Sequence, residues 1–256
     1  LHALGRDYWK TYQELDKDVF EWLDDKQEEG KIDHAGFSFH DDLDIFKEIV
    51  DSYDWDFCQI QYNYLDQEFQ AGVEGLKYAA SKGLGVIVME PLRGGKLAKE
   101  QPSDIQKTFN KSENDWPPVE WALRWLWNQP EVSFLLSGMS TMDQVKENVK
   151  IADDSGINQL SEKELDIIDE VAETYKDLSP VDCTGCNYCV PCPNDVVIPQ
   201  LFQMYNESEL FDEYESKKEQ YDKIKDKEKA ASDCVECGQC EEKCPQNLSI
   251  MDLLKE

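Results

Sequence analysis

The sequence predicts an α/β domain followed by a small helical domain built on cysteines. Three observations carry this. Short apolar strand segments alternate with amphipathic helix segments up to residue 175. Eight of the nine cysteines fall between Cys183 and Cys244, in two stepped runs. The chain has 256 residues with 40% hydrophobic content, enough for one large or two modest cores. Mostly apolar strands separated by helices are the mark of parallel βα units covered by helices. The expected domains are residues 1–175 and 176–256.

The elements follow in order. Leu1 to Leu4 is the tail of a strand. Asp7 to Glu29 is a single long helix, with Tyr12, Leu15, Val19, Phe20 and Leu23 spaced for one face, and Gly30 ends it. Ala35 to Phe39 is a short strand, and Asp41 or Asp42 caps a helix bearing Leu43, Phe46 and Val50. Phe57 to Asn63 is a strand, Glu68 to Ser81 a helix, and Gly85 to Glu90 a strand stopped by Pro91. Arg93 to Asp115 reads as a loop. Pro117 and Pro118 open a helix with Trp121, Leu123, Leu126 and Trp127. Val132 to Ser137 is a strand and Thr141 to Ala152 a helix. The capping box Ser161 to Glu164 starts a helix to about Tyr175, and Lys176 to Asp182, with Pro180, is the linker.

The cysteines then set the chemistry. Cys234, Cys237, Cys240 and Cys244, followed by Pro245, match the bacterial ferredoxin run C-x2-C-x2-C-x3-C-P. Cys183, Cys186, Cys189 and Cys192, followed by Pro193, repeat it with the last gap shorter by one. Three thiolates at this spacing wrap one cubane, and the fourth reaches the neighbouring cluster. The expected sets are Cys183, Cys186, Cys189 and Cys244 on one [4Fe-4S] cluster, and Cys234, Cys237, Cys240 and Cys192 on the other. Zinc sites also use CxxC pairs, and cysteines also form disulfides, but neither accounts for four stepped cysteines before a proline, twice. Cys58, in an apolar stretch, reads as a core thiol. Between the runs, Leu201, Phe202, Tyr205, Leu210, Phe211 and Tyr214 recur at helical spacing. That insert suggests an α-helical ferredoxin arrangement.

Composition bounds the partners. The net charge of −29, from 55 acidic and 26 basic residues, opposes binding to nucleic acid or anionic lipid. It suits a solvated protein or one docking on a basic redox partner protein. No apolar run is long enough to span a membrane. Many reduced cysteines and no visible leader point to the cytoplasm, although the chain begins at Leu1 without methionine.

Four blocks carry a resemblance: Gly36 to His40, Cys58 to Asn63, Met89 to Gly95, and Gly138 to Asn148. Together they resemble the last four strand ends of the aldo-keto reductase barrel, in the branch with a C-terminal two-cluster ferredoxin-like extension. The resemblance implies the C-terminal part of a (β/α)8 TIM barrel, with the first three strands and most of the fourth lying outside this chain. It implies carbonyl reduction with NADPH or NADH, coupled to single-electron transfer. By the same resemblance His2 matches the catalytic His, while the family's Tyr, Lys and Asp have no counterpart, so the chain alone is expected to be inactive. Ser38 and Gln59 would hold the nicotinamide amide. Leu92, Gly94 and Gly95 would border the pyrophosphate, with Arg93 an anion contact or a solvated loop residue. Gln144, Glu147 and Asn148 match the start of the adenine-binding helix. Met89 replaces the aromatic that stacks on nicotinamide, Phe39 replaces an amide residue, and Gly138 and Gln144 stand where some members carry a basic 2′-phosphate clamp. The choice between NADPH, NADH and a flavin therefore stays open. His34 and His40 read as surface or strand-end histidines. A rival reading is an electron-carrier module whose barrel part is a docking platform.

Overall fold

The computed structural model describes residues 1–256 except Asp16, Lys17, Thr184, Cys186, Pro245 and Glu256. In chain order the helices are α1 (Arg6–Gln13), α2 (Val19–Glu28), α3 (Leu43–Asp51), α4 (Gly72–Ser81), α5 (Ser103–Phe109), α6 (Pro118–Trp127), α7 (Met142–Asp153), α8 (Glu162–Leu178), α9 (Ile198–Phe211), α10 (Tyr214–Lys225), α11 (Gln239–Glu242) and α12 (Ile250–Leu253). The strands are β1 (Gly36–Ser38), β2 (Phe57–Gln61), β3 (Gly85–Met89) and β4 (Val132–Leu135). The chain divides into two compact units. The first comprises Leu1–Glu100 and Phe109–Asp169, and the second Gln101–Thr108 and Glu170–Glu256.

In the first unit the strands form one parallel sheet in the order β1-β2-β3-β4. The first residues of the chain add to its outer side. Leu4 bridges Phe39 in parallel, Leu4 N–H donates to Ser38 O, and His40 N–H donates to Leu4 O. Every connection between neighbouring strands carries at least one helix, as parallel pairing requires. Alternation sorts the side chains. Cys58, Ile60, Val86 and Val88 are fully buried, while Gln59, Gln61, Ile87 and Met89 are half-buried on the other face. The buried face belongs to the helix layer, where α4 packs on β2 and β3 and supplies Leu76 and Ala79. Phe37, Phe39 and Phe46 form a tilted and edge-on aromatic group with Trp55 nearby. At the far edge, β4 leaves Phe134 exposed, with Leu136 just beyond it.

Local chemistry explains the element ends. Asp42, rather than Asp41, caps α3, accepting from Ile45 N–H at 3.1 Å. Pro118 occupies the first turn of α6, where its missing N–H costs nothing. Three expectations are corrected. The single helix over 7–29 is two helices, because Asp18 turns its carboxylate onto Phe20 N–H and caps α2. Leu15 is accordingly exposed, and the expected helix residues Asp16 and Lys17 lie outside the described residues. The expected loop at 93–115 contains a 3-10 turn, Lys96–Ala98, and the helix α5, whose Ile105 is fully buried. Helix α8 also continues to Leu178, into the expected linker.

The second unit is helical. Val181, Val196, Ile198, Leu201, Phe202, Cys240 and Ile250 form its core around the cysteine runs. Helices α9 and α10 supply the insert between the runs. Lys217 of α10 and Glu207 of α9 form an ion pair in which each side chain is about one-tenth exposed, at 12% and 11%. Among the described residues, no helix is long and apolar enough to cross a membrane.

Candidate functional site

Two sites emerge, one in each unit. The first lies at the C-terminal ends of the parallel strands, where barrel enzymes place their chemistry. The β1 end brings Ser38 to His2. Ser38 Oγ accepts from Ala3 N–H at 2.7 Å and lies 3.3 Å from His2 Nδ1. Ser38 is buried, at 9% exposure, and His2 is exposed. On the same face Gln59 pairs in register with Ser38, and its Nε2 donates to Met89 Sδ at 3.3 Å. His40 is an exposed residue, yet its ring is covered enough that burial lowers its pKa. His2 pushes the same way, while Gln70 and Glu90 oppose it. His34 is exposed beside Asp56, away from this rim.

The β3 end turns through Glu90 to Gly95. Glu90, Arg93, Gly94 and Gly95 all have positive φ, at 55, 48, 62 and 86°. Glycine tolerates this freely, whereas Glu90 and Arg93 are held there by their surroundings. Fully buried Asn63 does much of the holding. Its Nδ2 donates to Glu90 O at 3.1 Å and to Asp66 Oδ2 at 2.9 Å. Arg93 faces Asp66 at 3.6 Å, and Gly94 N–H donates to Glu90 Oε2. Leu92 is buried beneath the turn. Of the residues expected to border a pyrophosphate, Gly94 already has its amide on a carboxylate of the chain itself.

The start of α7 is a capping box. Gln144 N–H donates to Thr141 Oγ1, and Gln144 Oε1 accepts from Ser140 and Thr141 N–H. Asn148 Nδ2 donates to Ser137 Oγ at 3.1 Å, and Glu147 is exposed. Gln144 therefore has a local role that its spacing from Thr141 signals. Tyr62 and Tyr64 are both buried. Burial raises the Tyr62 phenol, which donates to Gln129 Oε1 at 3.1 Å. Sequence reasoning missed Glu90 and Asn63. A carboxylate just before a Pro-Leu-Arg-Gly-Gly turn was the available signal for the first.

The second site is the cysteine cradle. Cys183, Cys189 and Cys244 line one pocket together with Ile198, Pro199, Phe202, Leu248 and Ile250. These are three of the four thiols expected on one cluster, drawn from both runs. The fourth, Cys186, lies outside the described residues. Cys192 and Cys234 pack against the same apolar core, Cys240 belongs to it, and Cys237 is exposed. Glu236 N–H points at Cys234 Sγ, 3.4 Å away, the kind of contact that stabilises a thiolate or cluster sulfur. Cys58, Cys192, Cys234, Cys237, Cys240 and Cys244 carry free thiols. Thiols gathered from two distant segments around an apolar cavity fit a cluster with one iron for each thiolate. Among the described residues, no three His, Cys, Asp or Glu side chains are arranged to hold a single metal ion. Cys58 is fully buried in the first unit, and burial pushes its thiol up to about 12.

Comparison with known proteins matches both units. The aldo/keto reductase family model matches residues 6–173, and the 4Fe-4S dicluster domain model matches residues 182–248. An uncharacterised oxidoreductase of Schizosaccharomyces pombe is 31% identical over 136 residues, which is 53% of this chain and 42% of that protein. The chain thus spans less than half the length of that curated relative. An aldo-keto reductase of Bacillus halodurans superposes in its holo form with a TM-score of 0.51 at 24% identity, covering 60% of this chain and 55% of that one. Its apo form gives 0.51 at 23% identity, covering 61% and 58%. At that identity the likeness is one of fold.

Proposed function

From membership of the aldo/keto reductase family, to which this chain belongs, we propose a nicotinamide-dependent carbonyl oxidoreductase wired to two [4Fe-4S] clusters. The observation that carries it is the pocket in which Cys183, Cys189 and Cys244 converge from the two runs.

In the first unit, Ser38 sets the state of His2. Its Oγ accepts from Ala3 N–H, so its own hydrogen is available to His2 Nδ1. In the tautomer whose Nδ1 accepts from Ser38, Nε2–H is the donor that would face a small carbonyl substrate. The second lone pair of Ser38 remains for a nicotinamide amide N–H, and Gln59 flanks it on the same face. A bound NADPH or NADH would supply hydride. Leu92 and the Arg93–Gly95 turn would border its pyrophosphate, with Gln144, Glu147 and Asn148 near its adenine end. In the second unit, Cys183, Cys186, Cys189 and Cys244 would hold one cluster, and Cys234, Cys237, Cys240 and Cys192 the other. Bound clusters supply one-electron transfer. The lining of the first set is mostly apolar, with Asn187 and Gln246 at its polar edge, and the acidic surface suits a basic redox partner.

The alternative is an electron-carrier module. It draws support from the two nucleotide contacts already satisfied internally, Gly94 N–H by Glu90 and Gln144 by its capping box. The deciding experiment measures carbonyl reduction with NADPH and NADH, first on this chain and then on a longer protein in which the first strands of an aldo/keto reductase barrel are fused ahead of Leu1. The expected result is turnover only in the longer protein. Equal turnover by the short chain would remove the assignment of catalytic groups, and nucleotide binding by neither form would favour the carrier.

A further inference from the structure

The geometry points to Glu90 as a specificity-determining residue of the β3 rim, its carboxylate filling the anion-receiving position of the Arg93–Gly95 turn so that a nucleotide pyrophosphate enters only by displacing it. This rests on the reading of that turn as a nucleotide border.

Three observations support it. First, in this left-handed turn Arg93 N–H is taken by Glu90 O, while Gly94 N–H points outward and is already donated to an anion, Glu90 Oε2. Second, the backbone of Glu90 is fixed independently of its side chain. Asn63 Nδ2 donates to Glu90 O at 3.1 Å, and Arg93 N–H donates to the same oxygen at 3.1 Å. The carboxylate is therefore a removable occupant of a turn formed by other contacts. Third, Glu90 is exposed and can release its oxygen to water without a burial cost, while Arg93, the nearby cation of the turn, faces Asp66. An incoming pyrophosphate thus exchanges one anion for another at the same amide, and meets like charge until Glu90 swings away. The turn is selective: a ligand pays for its phosphate contact with the loss of one charge-assisted hydrogen bond.

The test titrates the full chain, carrying its clusters, with NADPH, NADH and inorganic pyrophosphate, alongside E90Q and E90A. Tryptophan fluorescence checks the fold of the first unit, because all seven tryptophans lie there. E90Q keeps a neutral acceptor and E90A removes the acceptor. Both variants are expected to bind NADPH and pyrophosphate about three- to tenfold more tightly than the native chain, the worth of one such hydrogen bond. If E90A binds more weakly and E90Q matches the native chain, Glu90 only braces the turn and the inference fails. Equal affinities in all three also overturn it, and leave the nucleotide reading intact. Binding of no probe by any of the three overturns both.

Discussion

Helix α10 buries no residue completely, so its docking on α9 leans on the Lys217–Glu207 ion pair. Replacing Lys217 by Met keeps the aliphatic stem and removes the charge. Both side chains are nearly nine-tenths buried, which places the pair close to the regime where loss of one partner costs about 3–5 kcal/mol. Two features reduce that figure. Gln203 Nε2 still donates to Glu207 Oε1 at 3.0 Å, and Tyr221 and Ile224 continue to pack on the core of the unit. The net expectation is about 2–3 kcal/mol. For a unit of this size that lowers the melting midpoint by roughly 10–20 °C. The assay is anaerobic thermal unfolding followed by far-UV circular dichroism and by visible cluster absorbance. The double variant K217M/E207L replaces the pair with apolar groups and should recover most of the loss, because a well-packed apolar pair rivals a buried ionic one. If K217M stays within about 0.5 kcal/mol of the native chain, the size of an ordinary surface substitution, the ion pair does not hold the insert and the reasoning fails.

Iron and acid-labile sulfide analysis of anaerobically purified protein should give about eight of each per chain, and Cys192→Ser should damage the cluster held by the second cysteine run; stoichiometric zinc without sulfide would remove the cluster assignment. Burial acts to raise Asp42, but the hydrogen bonds from Ile45 N–H and Arg6 outweigh it and hold the carboxyl below its ordinary value of 3.8. Its stabilising contribution is therefore present above pH 3.8 and is lost as pH falls through the lower folded value. In urea unfolding at neutral pH, Asp42→Ala should cost about 1 kcal/mol and Asp42→Asn much less, since Asn also caps. Cys58, with its thiol raised to about 12, should resist a thiol reagent in the native state and react on unfolding; fast native labelling would show that its strand opens easily.

The strands were legible because their apolar residues leave little choice. Val86 and Val88 can only be buried, and Pro91 stops β3 where the pattern says it should. Pro118 and the Ser161–Glu164 box likewise announced α6 and α8. The break between α1 and α2 was not legible, since the apolar spacing runs on through 15–19 and the decision falls to Asp18, whose carboxylate competes for the backbone. Helix α5 was hidden by polar neighbours and the preceding Pro102, because only tertiary burial of Ile105 rewards it. At the candidate sites, residue identity was readable and engagement was not. The meeting of Cys183 and Cys189 with Cys244 depends on how the insert folds back, and the capture of Gly94 N–H by Glu90 depends on positive φ at both residues.

The short segment Gln101–Thr108 has a consequence for how this protein can be taken apart. It lies in sequence within the first unit but belongs in space to the second, where the Tyr175 hydroxyl bonds to Gln101 Oε1 out of contact with water. The cysteine-bearing portion is therefore not a cassette that a single cut can release. A clone starting at Glu170 would leave behind a piece of its own interior, and one supplied with residues 101–108 as a separate peptide should regain order. A cut between Thr108 and Glu170 would part the Tyr175 hydroxyl from Gln101, so the second unit is defined by two stretches of chain rather than one.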